Sequence, residues 1–146
     1  MHACTVSVDT ESGAARILDY AVCEDGGVLV NPMIVDGQVT GGVAQGVGTA
    51  LYEEMPFDAA GQPGAATLAD YELPGAREVP VLRIEHKETP SPYTRFGQKG
   101  IGEGGAIGPP AAIANAVNDA LRRLGARVDR LPITAHRVVA AVLAAP

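Results

Sequence analysis

From Met33 to Met55 the apolar residues recur at the spacing of an α-helix, and the two faces of that helix make opposite demands on whatever surrounds it. Val39, Val43, Val47, Ala50 and Leu51 fall within one arc at about 100° per residue, the usual core-facing stripe. Gln38, Gly41, Gln45, Gly48 and Tyr52, spaced alternately by three and four, fall on the other side. A stripe facing solvent normally carries Glu and Lys, whereas this one carries glutamine and glycine. Each interior glycine costs about 1 kcal/mol relative to alanine, so something lies close against this helix. Two readings are open at this point. Small residues permit tight packing by another helix or a sheet; equally, a flat polar ligand can rest over the glycines, with the Gln45 amide as donor and acceptor.

A second unusual stretch is Gly97-Gln98-Lys99-Gly100-Ile101-Gly102-Glu103-Gly104-Gly105-Ala106, followed by a helix expected to open at Pro109-Pro110. Glycine at this density costs conformational entropy and buries nothing, which points to backbone that comes very close to a neighbour. Glu103 is the one side chain in it that can accept a proton. A helix N-terminus with exposed N–H groups can hold an anionic or oxygen-rich ligand, and a carboxylate projecting into the same space can act as a general base. The same carboxylate can also do no more than complement the helix dipole. Gly100, Gly102 and Gly105 satisfy G-x-G-x-x-G, with Asp129 downstream. A dinucleotide fingerprint must follow a hydrophobic strand directly, however, and here Thr89-Pro90-Ser91-Pro92-Tyr93-Thr94-Arg95-Phe96 precedes it. Lys99 stands before the glycines, so the Walker pattern is incomplete as well.

The rest of the chain frames these two segments. Alternation at Cys4, Val6 and Val8, a turn at Asp9–Gly13 and a run from Arg16 to Val22 predict a β-hairpin over residues 2–9 and 15–22. Val28-Leu29-Val30 is expected to add a short strand, stopped at Pro32. Residues 56–78 form a Pro/Gly/Ala-rich connector, and Val79 to Lys87 reads as a strand with Leu82, Ile84 and His86 on one face. A helix through Ile113, Val117, Ala120, Leu121 and Leu124 ends at Gly125 in C′ fashion. A last helix starts at the N-cap Thr134. This order predicts an α+β domain with helices on one face of a mixed or antiparallel sheet.

Composition excludes several classes. The 146 residues are expected to form one domain with a real core. A net charge of −6 and a pI near 4.9 oppose nucleic acid or an anionic membrane as partner. No apolar run approaches a membrane span of about 20 residues. Cys4 and Cys23 form no CxxC, and the hairpin register sets Cys4 opposite residue 19 or 20, so the expectation is two reduced cysteines in a soluble, cytoplasmic protein. The three histidines, His2, His86 and His136, fall on different elements and are not expected to bind metal.

Three stretches together resemble the C-terminal part of the large, molybdenum-binding subunit of the molybdenum hydroxylases, the family of xanthine dehydrogenase, aldehyde oxidase and aerobic carbon monoxide dehydrogenase. They are Val30-Asn31-Pro32-Met33-Ile34-Val35-Asp36-Gly37-Gln38 running into Gly41-Gly42-Val43-Ala44-Gln45-Gly46-Val47-Gly48, then Asp70-Tyr71 with Pro74 and Pro80, then Thr89-Pro90-Ser91-Pro92 leading into Lys99-Gly100-Ile101-Gly102-Glu103. The likeness continues through Pro109-Pro110-Ala111-Ala112-Ile113-Ala114-Asn115-Ala116 and Leu131-Pro132-Ile133-Thr134, and so spans residues 1–146 as the C-terminal portion of a molybdopterin-binding domain.

The resemblance implies a molybdenum-dependent reaction in which a water-derived oxygen enters a carbon substrate while hydride passes to the metal centre. Glu103 matches the family's general-base glutamate. Gln45, with Gly42 and Gly46 beside it, matches the segment that contacts the molybdopterin, and Lys99, Gly100 and Gly102 match the loop that wraps it. The cofactor is expected in a cytosine dinucleotide form. Iron–sulfur clusters and FAD are expected on partner subunits only. Family large subunits are several times longer, so the chain is expected to work with the remainder of a split large subunit and to be inactive alone. The alternative is a non-catalytic remnant or assembly module of the same fold. The pocket residues that choose the substrate lie upstream in the family, so the small-molecule substrate is not legible here.

Overall fold

The computed structural model describes all residues from Met1 to Pro146. The hairpin forms as expected: β1 (His2–Val8) pairs antiparallel with β2 (Ala15–Glu24). The register slips between Thr5 and Val6, so that Val6 opposes Ile17 while Cys4 opposes Tyr20. One extra residue, Leu18, bulges outward, and Ile17 and Tyr20 both reach the helix side despite their odd separation. Cys4 and Cys23 are free thiols, as the register required.

The third strand is β3 (Leu82–His86), shorter than the predicted 79–87, and it runs parallel to β2 with Tyr20 opposite Leu82 and Glu24 opposite His86. The sheet order is β1-β2-β3, a mixed sheet of three strands. Val28-Leu29-Val30 does not form the expected strand. The Val28 N–H instead donates to the Gly97 carbonyl at 3.2 Å, and Gly27 bridges Gln98. The backbone that would have joined the sheet is taken up in anchoring the glycine-rich loop.

α1 (Pro32–Leu51) starts where Asn31 accepts a hydrogen bond from the Ile34 N–H at 3.3 Å and Pro32 occupies the first turn. That pair is an N-terminal signal, and it sets the helix start one residue before the predicted one. The helix ends at Leu51 instead of Met55. Val39, Val43, Val47 and Ala50 are fully buried, as the apolar arc required; each valine contributes about 2 kcal/mol by removal from water.

α2 (Gly104–Leu121) differs from expectation at its start. It opens five residues before Pro109, so both prolines lie inside it. Pro109 is buried and rests on Gly46, where an added Cβ would come within 2.6 Å of its ring. A packing role, not an opening one, therefore explains it. A single 3₁₀ turn, Arg122–Leu124, follows and closes on Gly125 at φ 69°, the left-handed cap glycine accommodates. Asn118 ties the next segment down by donating to the Val128 carbonyl and accepting from its N–H, both at 2.9 Å. α3 (Ala135–Leu143) is capped by the Thr134 hydroxyl, as predicted. The helices cover one face of the sheet, and Ile113, Val117, Leu121, Ile133 and Val138 complete the core with Tyr20 and Val22. No helix is long and apolar enough to cross a membrane.

Candidate active site

The site is assembled where α1 and the start of α2 meet. The contact is glycine on glycine: a Cβ on Gly42 would lie 2.9 Å from backbone atoms of Gly105 and Ala106, and one on Gly105 would lie 2.6 Å from the Val39 carbonyl. This close approach brings the loop ahead of α2 alongside α1. The Gln38 amide then donates to the Gly102 carbonyl at 2.7 Å.

Glu103 is the N-cap residue of α2 with φ −110° and ψ −12°, yet its side chain makes no capping hydrogen bond. Its backbone carbonyl accepts from the N–H groups of Ala106 and Ile107. The carboxylate itself is exposed and engaged by nothing in the chain. Glu103 therefore does not cap the helix through its side chain, while its position at the N-terminus fits both a charge that complements the dipole and a free base.

The polar stripe of α1 splits in two. Gly48 is buried beneath the Glu53 carboxylate and Pro74, and Glu53 is held by the Tyr71 hydroxyl at 2.8 Å, so at that end the close neighbour is this chain's own connector. At the other end Gln38, Gly41 and Gln45 are exposed. A Cβ on Gly41 would meet nothing within 4 Å, nor would one on Gly100 or Gly102. None of these three has a positive φ. Backbone conformation and internal packing therefore leave all three free to carry a side chain. The Gln45 backbone carbonyl accepts from the Thr49 hydroxyl at 3.2 Å, and its side-chain amide stays free.

Lys99 is occupied. Its ammonium lies 3.0 Å from Asp25 Oδ2, and its backbone N–H donates to the Gly26 carbonyl at 2.8 Å. Asp25 Oδ1 also accepts from the N–H groups of Gly27 and Thr89, both at 3.0 Å. Hydrogen bonds from Thr89, Gly27 and Lys99 hold the Asp25 carboxyl well below the usual carboxylate range. This one side chain joins the end of β2, the segment after β3 and the start of the glycine loop. Nothing in the sequence marked Asp25, since its partners stand up to 74 positions away.

Two further groups sit behind the loop. Glu24 is 9% exposed at its side chain, with one carboxylate oxygen lacking a hydrogen-bond partner, and it fills the space a Cβ on Gly104 would need. His2 lies 3.8 Å from it and bonds the Tyr20 hydroxyl at 3.0 Å. Burial, with the neighbouring terminal amine, lowers the His2 pKa. His86, at the end of the edge strand β3, is paired with Asp36 at 2.7 Å. No cluster of three or more His, Cys, Asp or Glu side chains suited to a metal ion occurs. The dinucleotide pattern fails in place as well: β3 ends at His86 and no strand leads into Gly100.

The unit presents an unbonded Glu103 carboxylate, the open glycines Gly41, Gly100 and Gly102, and the free Gln45 amide on its exposed surface. A family model described as the molybdopterin cofactor-binding domain matches residues 1–80, and the chain belongs to that family. It is 44% identical over 140 residues to the nicotine 6-hydroxylase large subunit of Paenarthrobacter nicotinovorans, covering 96% of this chain and 17% of that protein. It is 36% identical over 138 residues to the carbon monoxide dehydrogenase large chain of Hydrogenophaga pseudoflava, covering 94% of this chain and 17% of the relative. Among solved structures it superimposes on quinoline 2-oxidoreductase from Pseudomonas putida 86 with a TM-score of 0.96 at 44% identity, over 99% of this chain and 18% of that one. The chain thus spans about a sixth of the length of these molybdenum-hydroxylase large subunits.

Proposed function

We propose that residues 1–146 act as the C-terminal portion of a molybdopterin-binding domain and supply the general base, Glu103, and one wall of the cofactor site of a molybdenum-dependent hydroxylase or dehydrogenase. The observation that carries this is the unbonded Glu103 carboxylate beside the open backbone of Gly41, Gly100 and Gly102. The residues present suit a flat polar cofactor: the free Gln45 amide offers both a donor and an acceptor to a pterin edge, and the three open glycines admit a ring system close to backbone. Gly42 and Gly46 contribute by letting α2 close on α1, which sets Glu103 next to that face. Lys99 contributes by locking the loop to Asp25.

When bound, a molybdenum-bearing molybdopterin supplies two-electron redox chemistry toward a carbon substrate. The chain's own part is proton transfer and placement. Glu103 would accept a proton at a carboxylate oxygen from a water-derived oxygen nucleophile. Gln45 would hold a pterin edge, and the α2 backbone would keep the base in place. The remainder of the large subunit and subunits bearing iron–sulfur clusters and FAD complete the enzyme in the cytoplasm.

In the assembled enzyme, Glu103→Gln abolishes turnover while molybdenum content, measured by elemental mass spectrometry, stays at the wild-type level. Retained turnover refutes the assignment. A second reading, a non-catalytic assembly module, is favoured by the exposed apolar cluster at the start of α1, where Val30, Met33 and Ile34 are 82%, 76% and 62% exposed. It predicts association with the remainder of a large subunit but no effect of Glu103→Gln.

A further inference from the structure

The base must be held still, and the structure shows what does so. From Gly100 to Gly102 the loop carries no left-handed residue, and a Cβ on either glycine would meet nothing within 4 Å. Upstream it is fixed at Lys99 by Asp25 and Gly26. Ile101 packs toward Gly26. Downstream the helix begins only at Gly104. The Glu103 carbonyl is already held by the N–H groups of Ala106 and Ile107; over residues 100–102 the loop receives one hydrogen bond, from Gln38 Nε2 to the Gly102 carbonyl at 2.7 Å. That carbonyl belongs to the peptide unit joining Gly102 to Glu103. The Glu103 carbonyl on the far side is held by Ala106 and Ile107, so fixing the Gly102 carbonyl as well holds the peptide planes on both sides of Glu103 and with them the direction in which its Cβ leaves the backbone.

We propose that Gln38 is a positioning residue for Glu103, acting through the Gly102 carbonyl and touching neither substrate nor reacting atoms. The proposal rests on Glu103 being the general base. Glycine at 102 makes the tether necessary, because an unrestrained glycine samples more backbone conformations than any other residue. Gln38 reaches the loop because it stands one turn before Gly42, where α1 and α2 approach most closely. Its exposure means that replacing it disturbs no buried packing.

The test uses the assembled enzyme with Gln38→Met, which keeps length but removes the donor, and Gln38→Lys, which restores one. Loss of the tether lowers kcat by about tenfold to a hundredfold, the scale of a misplaced catalytic group, with KM within about twofold and molybdenum content unchanged. Independently of turnover, amide hydrogen exchange in peptides covering residues 100–107 accelerates about fivefold in Gln38→Met, the effect of losing roughly one hydrogen bond, and returns toward wild type in Gln38→Lys. Wild-type kcat and exchange in Gln38→Met overturn the proposal. So does a kcat loss that tracks molybdenum loss, which would make Gln38 a cofactor contact. If Glu103→Gln proves active, the general-base reading fails by itself, while the exchange result still reports whether Gln38 holds the loop.

Discussion

Replacing Gly42 by alanine sets two effects of opposite sign against each other, and the geometry decides between them. In an exposed helix interior Gly→Ala stabilises by about 1 kcal/mol. At Gly42 the new methyl would lie 2.9 Å from three backbone atoms of Gly105 and Ala106, against an optimal carbon separation of about 3.5–4.0 Å. Backbone cannot rotate aside as a side chain does, so α2 must retreat by about half an ångström or more. Overpacking of this kind costs about 1–3 kcal/mol, and loosened contacts along Gly46–Pro109 add to it. The net expectation is destabilisation by about 1–2 kcal/mol, or a fall in Tm of roughly 3–8 °C for a domain this size. Gly41→Ala, one position away and with nothing within 4 Å of its Cβ, is the matched control and should raise Tm by about 2–4 °C. Thermal and urea denaturation of the two variants beside wild type make the measurement. A Gly42→Ala protein at or above the wild-type Tm refutes the close-contact argument, and with it the reason that Glu103 stands next to α1.

Besides the Glu103→Gln and Gln38 experiments described above, two further outcomes are expected. Gln45→Ala in the assembled enzyme lowers molybdenum and pterin occupancy without changing the Tm of this chain, checked by metal analysis and pterin fluorescence; unchanged occupancy returns that face to ordinary surface. Asp25→Asn is less stable than wild type at pH 7. Because hydrogen bonds from Thr89, Gly27 and Lys99 lower the folded-state pKa below the unfolded 3.8, the carboxylate's contribution is fully present above 3.8 and is lost as pH falls from there through the lower folded-state value. The stability gap between Asp25→Asn and wild type therefore shrinks below about pH 4, and urea melts from pH 2 to pH 7 that show a constant gap would contradict the assignment.

Patterns that repeat over a few residues were legible before any coordinates. The period-two run of β1, the valine arc of α1, the Thr134 cap and the Gly125 stop all appear where periodicity and capping chemistry place them. The sequence was less informative where meaning depends on what arrives from elsewhere. Val28-Leu29-Val30 has strand composition, but the Gly97 carbonyl competes for its backbone. Pro109-Pro110 looks like a helix start because proline suits a first turn; the actual start, at Gly104, is set by the close fit of Gly105 on Val39 and Gly42. Glu103 and Gln45 stood out as polar residues where their neighbours made polarity unusual. Gln38 stood out in the same stripe but its bond to Gly102 did not, and Asp25 passed unmarked, because each acts through a partner more than 60 positions away.

The glycines themselves show why a stripe of small residues could not be interpreted from one dimension. Gly42, Gly46, Gly104 and Gly105 are filled from within the chain, by the α1–α2 contact or by Glu24, and the fold alone accounts for their size. Gly41, Gly100 and Gly102 face open space without a conformation that demands glycine, so the fold alone does not account for them. The packing reading of the stripe is therefore met at Gly48, and Gly41 is left open to the ligand reading. The division also separates the consequences of change. Enlarging the first set damages stability whether or not the cofactor is bound, whereas enlarging the second leaves the chain folded and obstructs only what rests against it. A Gly100→Ala or Gly102→Ala chain that melts like wild type yet assembles with less molybdenum is what a cofactor wall predicts, and equal molybdenum content would mean that these glycines answer to something other than the cofactor.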